Sequence, residues 1–155
     1  MSRIKRVRNK LESIPAQLNR FRPLALLVIR LTLAAAFLPA GWAKLGSIDQ
    51  TAAFFTSIGI PLAGVLAPLV GLFELTAGVL VLVGLAARYA AIGLTFLMIA
   101  VVRLAKWDEV SGATSLVDQS EFLYGVLSFA LLTMGSGAWS LDARLSTNRK
   151  ERDLA

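Results

Sequence analysis

The chain has no cysteine and no histidine among its 155 residues, and only 17% of it is charged. Each shortage closes off chemistry. Without Cys there is no disulfide, no Cys-x-x-Cys relay and no thiolate ligand for an iron–sulfur cluster or a haem. Without His there is no bis-His haem, no ordinary zinc or copper site and no imidazole base. No haem, iron–sulfur or metal site is therefore expected. Chemistry is left to carboxylates, Lys, Arg, Tyr, Trp, hydroxyls or a bound organic cofactor.

What the sequence has in excess is apolar residues, 56% of the total, against roughly 45–50% in soluble domains. A soluble fold of this length would leave much of that surface in water. A set of membrane helices would not. Four apolar stretches approach the roughly 20 residues needed to cross a bilayer: Leu24 to Ala43, Leu62 to Val83, Ala86 to Ala105 and Ser120 to Ala138. Pro39 and Pro68 fall inside the first two, which a membrane helix tolerates where neighbours satisfy the freed carbonyls. The expected fold is all-α, an integral membrane four-helix bundle. The expected division is a basic amphipathic leader over 1–23, a four-span unit over 24–139 and a polar cytoplasmic tail over 140–155.

Basic residues set the expected orientation. Arg3, Lys5, Arg6, Arg8, Lys10, Arg20 and Arg22 precede the first span, Arg88 lies between the second and third, and Arg144, Arg149, Lys150 and Arg152 follow the fourth. The opposite side carries only Lys44, Arg103 and Lys106, among several acids. The positive-inside rule then puts both termini in the cytoplasm, as four spans require. Ile4, Val7, Leu11, Ile14, Leu18 and Phe21 recur at three- and four-residue spacing in the leader. That pattern is an apolar stripe on a basic helix, suited to an anionic membrane surface rather than to nucleic acid. The leader is too long for a signal-peptide n-region, and Arg30 interrupts the apolar run behind it. The loop from Leu45 to Pro61 reads as a short helix stopped by Gly59 and Pro61, apolar enough through Phe54 and Phe55 to act as a lid.

Charges inside the spans are the informative residues, because each costs about 2.5–3.5 kcal/mol near the bilayer centre and is usually turned inward and paired. Counted from the cytoplasmic side, Arg30 lies roughly 9 Å deep and Glu74 roughly 13 Å, at about 1.5 Å per residue. An Arg30–Glu74 pair is therefore expected inside the bundle, with Lys44 and Glu121 forming a second pair at the outer ends. Spacing supports an inward face: Arg30, Phe37, Gly41 and Lys44 share a stripe, as do Gly71, Glu74 and Gly78, and Glu121, Gly125 and Ser128. Gly41, Gly71, Gly78 and Gly125 would let the helices approach closely. Two readings of the polar seam stay open. It holds the helices in register, or it lines a cavity for a polar head group or for protons, with Arg30, Lys44, Glu74 and Glu121 as its residues. No catalytic residue can be named.

The run from Arg30 through Phe37, Gly41 and Lys44 to Leu45 resembles the first-helix signature of the DoxX family. Gly71-Leu-Phe-Glu74-Leu-Thr-Ala-Gly78, then Gly84-Leu85 and Arg88, resembles its second-helix pattern. Glu121 opening the last helix and Ser140-Leu141-Asp142 after it continue the likeness, which covers roughly Leu24 to Leu145. Ala34 stands where the family often has Gly. The resemblance implies a small four-helix protein of the bacterial inner membrane, linked to quinone or redox metabolism as a partner of other redox proteins. Three functions follow as expectations. The chain is a quinone-interacting subunit, with a partner supplying electrons. Alternatively it is a non-catalytic anchor or assembly subunit of a larger complex. Last, it is a small solute or proton transporter, which would need a homo-oligomer. An autonomous enzyme is not expected, since no nucleophile–base pair, metal cluster or phosphate loop is present.

Overall fold

The computed structural model describes residues 19–152. The expected leader stripe from Ile4 through Leu18 lies outside the described residues. The helices are α1 (Arg22–Gly46), α2 (Ile48–Ser57), α3 (Ala63–Val83), α4 (Ala87–Ala105), α5 (Ala113–Val117), α6 (Ser120–Met134) and α7 (Leu141–Arg152), with a 3₁₀ turn at Trp107–Glu109. Helices α1, α3 and α4 are long and apolar enough to cross a membrane, and α6 is a shorter apolar helix. The molecule is a helical membrane bundle, with no strand among the described residues. Pro39 and Pro68 sit inside α1 and α3 without ending them.

Successive long helices run antiparallel. They form two close pairs, α1 with α3 and α4 with α6. The α1–α3 pair is close because glycines face backbone. A Cβ on Gly41 would lie 2.6 Å from the Leu75 amide nitrogen and 2.7 Å from the Gly71 carbonyl oxygen. Gly71 and Gly78 receive Leu45 and Leu38 in the same way, and Gly125 on α6 faces the Met98 Cβ of α4. At each of these four glycines a Cβ would press on an atom of the neighbouring helix. Leu33, Phe37, Ala77, Val81, Leu94, Met98 and Leu131 fill the space between the pairs.

The fourth span is shorter than the expected Ser120 to Ala138. Helix α6 ends at Met134 because Gly135 and Gly137 adopt positive φ, +80° and +79°. Its 15 residues rise only about 22 Å, against a hydrocarbon core of about 30 Å. The stretch from Gly135 to Ser140 is therefore irregular backbone at the end of a bundle. Such backbone is stable near a membrane interior only where protein satisfies its polar groups. Arg30 meets that condition for the Ser136 and Trp139 carbonyls, and Asp142 holds the Ser136 hydroxyl.

Candidate functional site

Arg30 is buried, 2% exposed, but it does not meet Glu74. Its Nε donates to the Val81 carbonyl at 2.8 Å, and its Nη2 donates to the Leu82 carbonyl. Its Nη1 donates to the carbonyls of Trp139 at 2.7 Å and Ser136 at 3.3 Å. The guanidinium thus closes the carboxyl end of α3, where carbonyls lack helical partners and the helix dipole favours a cation. It also ties that end to the irregular stretch after α6. Gly84, at φ +71°, leaves room: a Cβ there would lie 2.7 Å from the Arg30 Cζ.

Asp142 completes this end. Its Oδ1 accepts from the Ala86 amide at 2.9 Å and its Oδ2 from the Ala87 amide at 3.4 Å. The Ser136 hydroxyl donates to Oδ2 at 3.3 Å, and the Asp142 amide donates to the Gly84 carbonyl at 3.0 Å. A carboxylate at the start of α4 satisfies free amides and suits the dipole. It also supports the tight α3–α4 turn, where Ala86 holds φ +48°.

The second expected pair is also replaced. Lys44 Nζ donates to Glu74 Oε2 at 2.6 Å. Glu121 instead accepts from the Ser120 hydroxyl at 3.1 Å. The reason lies in side-chain direction. Helical side chains lean toward their own amino terminus. In antiparallel α1 and α3, Arg30 leans away from Glu74 toward one end, whereas Lys44 and Glu74 lean toward each other. Depth alone matched the wrong partners.

Lys44 and Glu74 line a half-open cavity of about 710 Å³ bordered by residues of α1, α2, α3, α4 and α6. Apolar groups dominate its wall, among them Phe37, Phe54, Phe55, Leu97 and Met98. Phe37 and Tyr124 meet across it with ring centroids 6.0 Å apart. Glu121 and Tyr124 bring polar atoms from α6. The Glu74 side chain is only 4% exposed, and its Oε1 has no hydrogen-bond partner among the described residues. This oxygen is not shut away from the cavity that Glu74 lines, so it offers an acceptor to a ligand group or water there. Lys44, 28% exposed at its side chain, keeps further N–H donors available.

Helix α2 covers one side of the cavity through Gln50, Thr51, Phe54 and Phe55. It ends as expected before Gly59, whose φ of +76° breaks the helix, and Ile60 donates back to the Phe55 carbonyl at 2.9 Å. Phe55 anchors α2 against Ala63 and Ala67 of α3, while Phe54 stays half exposed.

Of the four expected site residues, the structure brings Lys44, Glu74 and Glu121 to one cavity and sets Arg30 apart. Sequence reasoning missed Tyr124, which follows Glu121 by three residues and so shares its helix face. It also missed Asp142 as the cap of α4, because nothing in the Ser-Leu-Asp run shows that it folds back onto a distant helix start.

The sequence model of the DoxX family matches residues 25–107. The chain belongs to the DoxX family. An uncharacterized membrane protein of Mycobacterium tuberculosis, Rv3486, is 34% identical over 150 residues, covering 86% of this chain and 89% of its own length. The inner membrane protein YqjF of Escherichia coli is 26% identical over 129 residues, covering 83% of this chain and 98% of its own length. No solved structure matches the chain. The DoxX match contains Arg30, Lys44 and Glu74, and so spans both Arg30 and the cavity's ion pair. Glu121, Tyr124 and Asp142 lie beyond it.

Proposed function

We propose that this DoxX protein binds a quinone or a similarly built amphipathic ligand in the cavity, with its polar head at Lys44 and Glu74. The observation that carries this reading is the Glu74 Oε1, without a donor among the described residues on a largely buried side chain, facing a mostly apolar cavity beside a lysine. The cavity falls within the usual range of about 300–1,000 Å³ for small-molecule sites. Such a site suits a head that accepts from Lys44 and donates to Glu74, followed by an apolar tail. A quinone supplies two-electron, two-proton chemistry when bound. Lys44 would orient a carbonyl oxygen, Glu74 would hold or release a proton at Oε1, and Phe54 and Phe55 of α2 would exclude water.

The chain has no Cys or His with which to ligate a metal-based redox centre. On this reading electrons come from a partner, and the protein acts as a small membrane subunit of a redox complex, both termini on the cytoplasmic side. The test is anaerobic titration of the detergent-purified protein with a short-tailed benzoquinol, the form whose hydroxyl can donate to Glu74, followed by quenching of its tryptophan emission. Saturable binding should weaken at least about tenfold in Glu74→Gln, since a hydrogen bond to a charged group contributes about 1.5–3 kcal/mol. Equal, unsaturable quenching in both proteins, with a protein co-purifying with each, would favour the assembly-subunit reading.

A further inference from the structure

The early end of α6 creates a second feature, at the opposite end from the cavity's ion pair. Between the start of α1 and the end of α6 is a crevice of about 310 Å³, lined by Asn19, Arg22, Pro23, Leu26, Met134 and Gly137 among others. Its wall is mixed, nearly half polar, with Leu26 and Met134 on its apolar side and Arg22 supplying its charge. The Arg22 Nη2 reaches the Met134 carbonyl at 3.5 Å. A second guanidinium approaches the same helix end from α4: a Cβ on Gly135 would lie 3.1 Å from both Nε and Nη2 of Arg88. Two arginines from different helices thus flank the last turn of α6.

Neither arginine is within ion-pairing distance of a carboxylate among the described residues. Asp142, the acid tied into this end, is already held by the Ala86 and Ala87 amides and the Ser136 hydroxyl. Both arginines are exposed. The one carbonyl in reach among the described residues, that of Met134, is a weak partner at the limit of hydrogen bonding. Trp139, 59% exposed, stands at the same end, as interfacial tryptophans do. A basic mouth over a crevice with one apolar side, at a membrane helix end, has the build of an anionic lipid site.

We propose that Arg22 and Arg88 bind the phosphate of an anionic phospholipid, with an acyl chain entering the crevice along Leu26 and Met134. The lipid would fill the level that the short α6 leaves open. This site is independent of the cavity and of any quinone reading.

The test is native mass spectrometry of the full chain in mild detergent, with phosphatidylglycerol and phosphatidylcholine offered in competition. The wild type should retain one phosphatidylglycerol in preference to phosphatidylcholine. Each basic residue at a membrane surface contributes about fivefold, so Arg22→Gln with Arg88→Gln should lower that preference about 25-fold. The charge-keeping pair Arg22→Lys with Arg88→Lys should retain most of it, which separates lipid binding from a folding defect. Arg103→Gln, at the other end, should change nothing. Equal retention in the double Gln variant would overturn the proposal and assign the lipid preference to other basic residues. Displacement of the lipid by millimolar inorganic phosphate would also overturn it, because the site would then recognise a free anion. So would full loss in the double Lys variant.

Discussion

Arg30 and Glu74 are buried to nearly the same degree, 2% and 3% exposed, yet they are different kinds of buried charge. Arg30 spends its donors on four backbone carbonyls from two parts of the chain. Glu74 has one lysine on one oxygen and leaves the other to a cavity. The Arg30 network is saturated and closed, although a crevice opens beside it at the same end. The Glu74 site is apolar, hollow and one donor short. A charge in a membrane protein marks a ligand site when its hydrogen-bonding capacity exceeds what the protein supplies. Where the supply is complete, the charge holds the fold.

That contrast is broken most severely at Arg30. Arg30→Met should orphan the carbonyls of Val81, Leu82, Ser136 and Trp139, and destabilise the protein by about 3–5 kcal/mol, as loss of one partner from a buried charged network does. Thermal unfolding in detergent reads the effect. Arg30→Lys should recover only part, because one ammonium cannot span carbonyls that a planar fork reaches.

A smaller loss is expected at the α1–α3 crossing. Gly41→Ala places a Cβ against the backbone of α3 and should cost about 1–3 kcal/mol through overpacking. Gly46→Ala, with nothing within 4 Å of its Cβ, should stay within about 0.5 kcal/mol of the wild type. The same unfolding measurement compares the two.

Glu74→Gln sharpens the comparison from the other side. It keeps an acceptor for Lys44, so the melting temperature should barely move while ligand affinity falls at least about tenfold. The smallest effect belongs to Glu121, which lines the cavity only part-buried and already accepts from Ser120. Glu121→Gln should weaken binding less than about fivefold, in keeping with about 0–1 kcal/mol for a partly solvated charge. Parallel titrations of the two variants rank them.

The fold was legible in the sequence because long apolar runs and their breaks report directly on membrane helices. Gly59 and Pro61 marked the end of α2, and the glycine stripes marked the close crossings. The end of α6 was not legible, since the residues after Met134 stay apolar or small and only backbone dihedrals at Gly135 and Gly137 stop the helix. The site was half legible. Spacing placed Lys44, Glu74 and Glu121 on inward faces, but partner choice depends on side-chain direction along antiparallel helices. Backbone carbonyls as partners for Arg30 leave no trace in residue identity.

The most direct measurement is the quinone content of the protein purified in mild detergent, by mass spectrometry, for wild type, Glu74→Gln and Arg30→Lys, each beside its melting temperature. The account predicts quinone enriched in the wild type and depleted about tenfold or more in Glu74→Gln at an unchanged melting temperature. In Arg30→Lys the melting temperature should fall while quinone per folded molecule holds. Quinone retained in Glu74→Gln but lost from folded Arg30→Lys would contradict it.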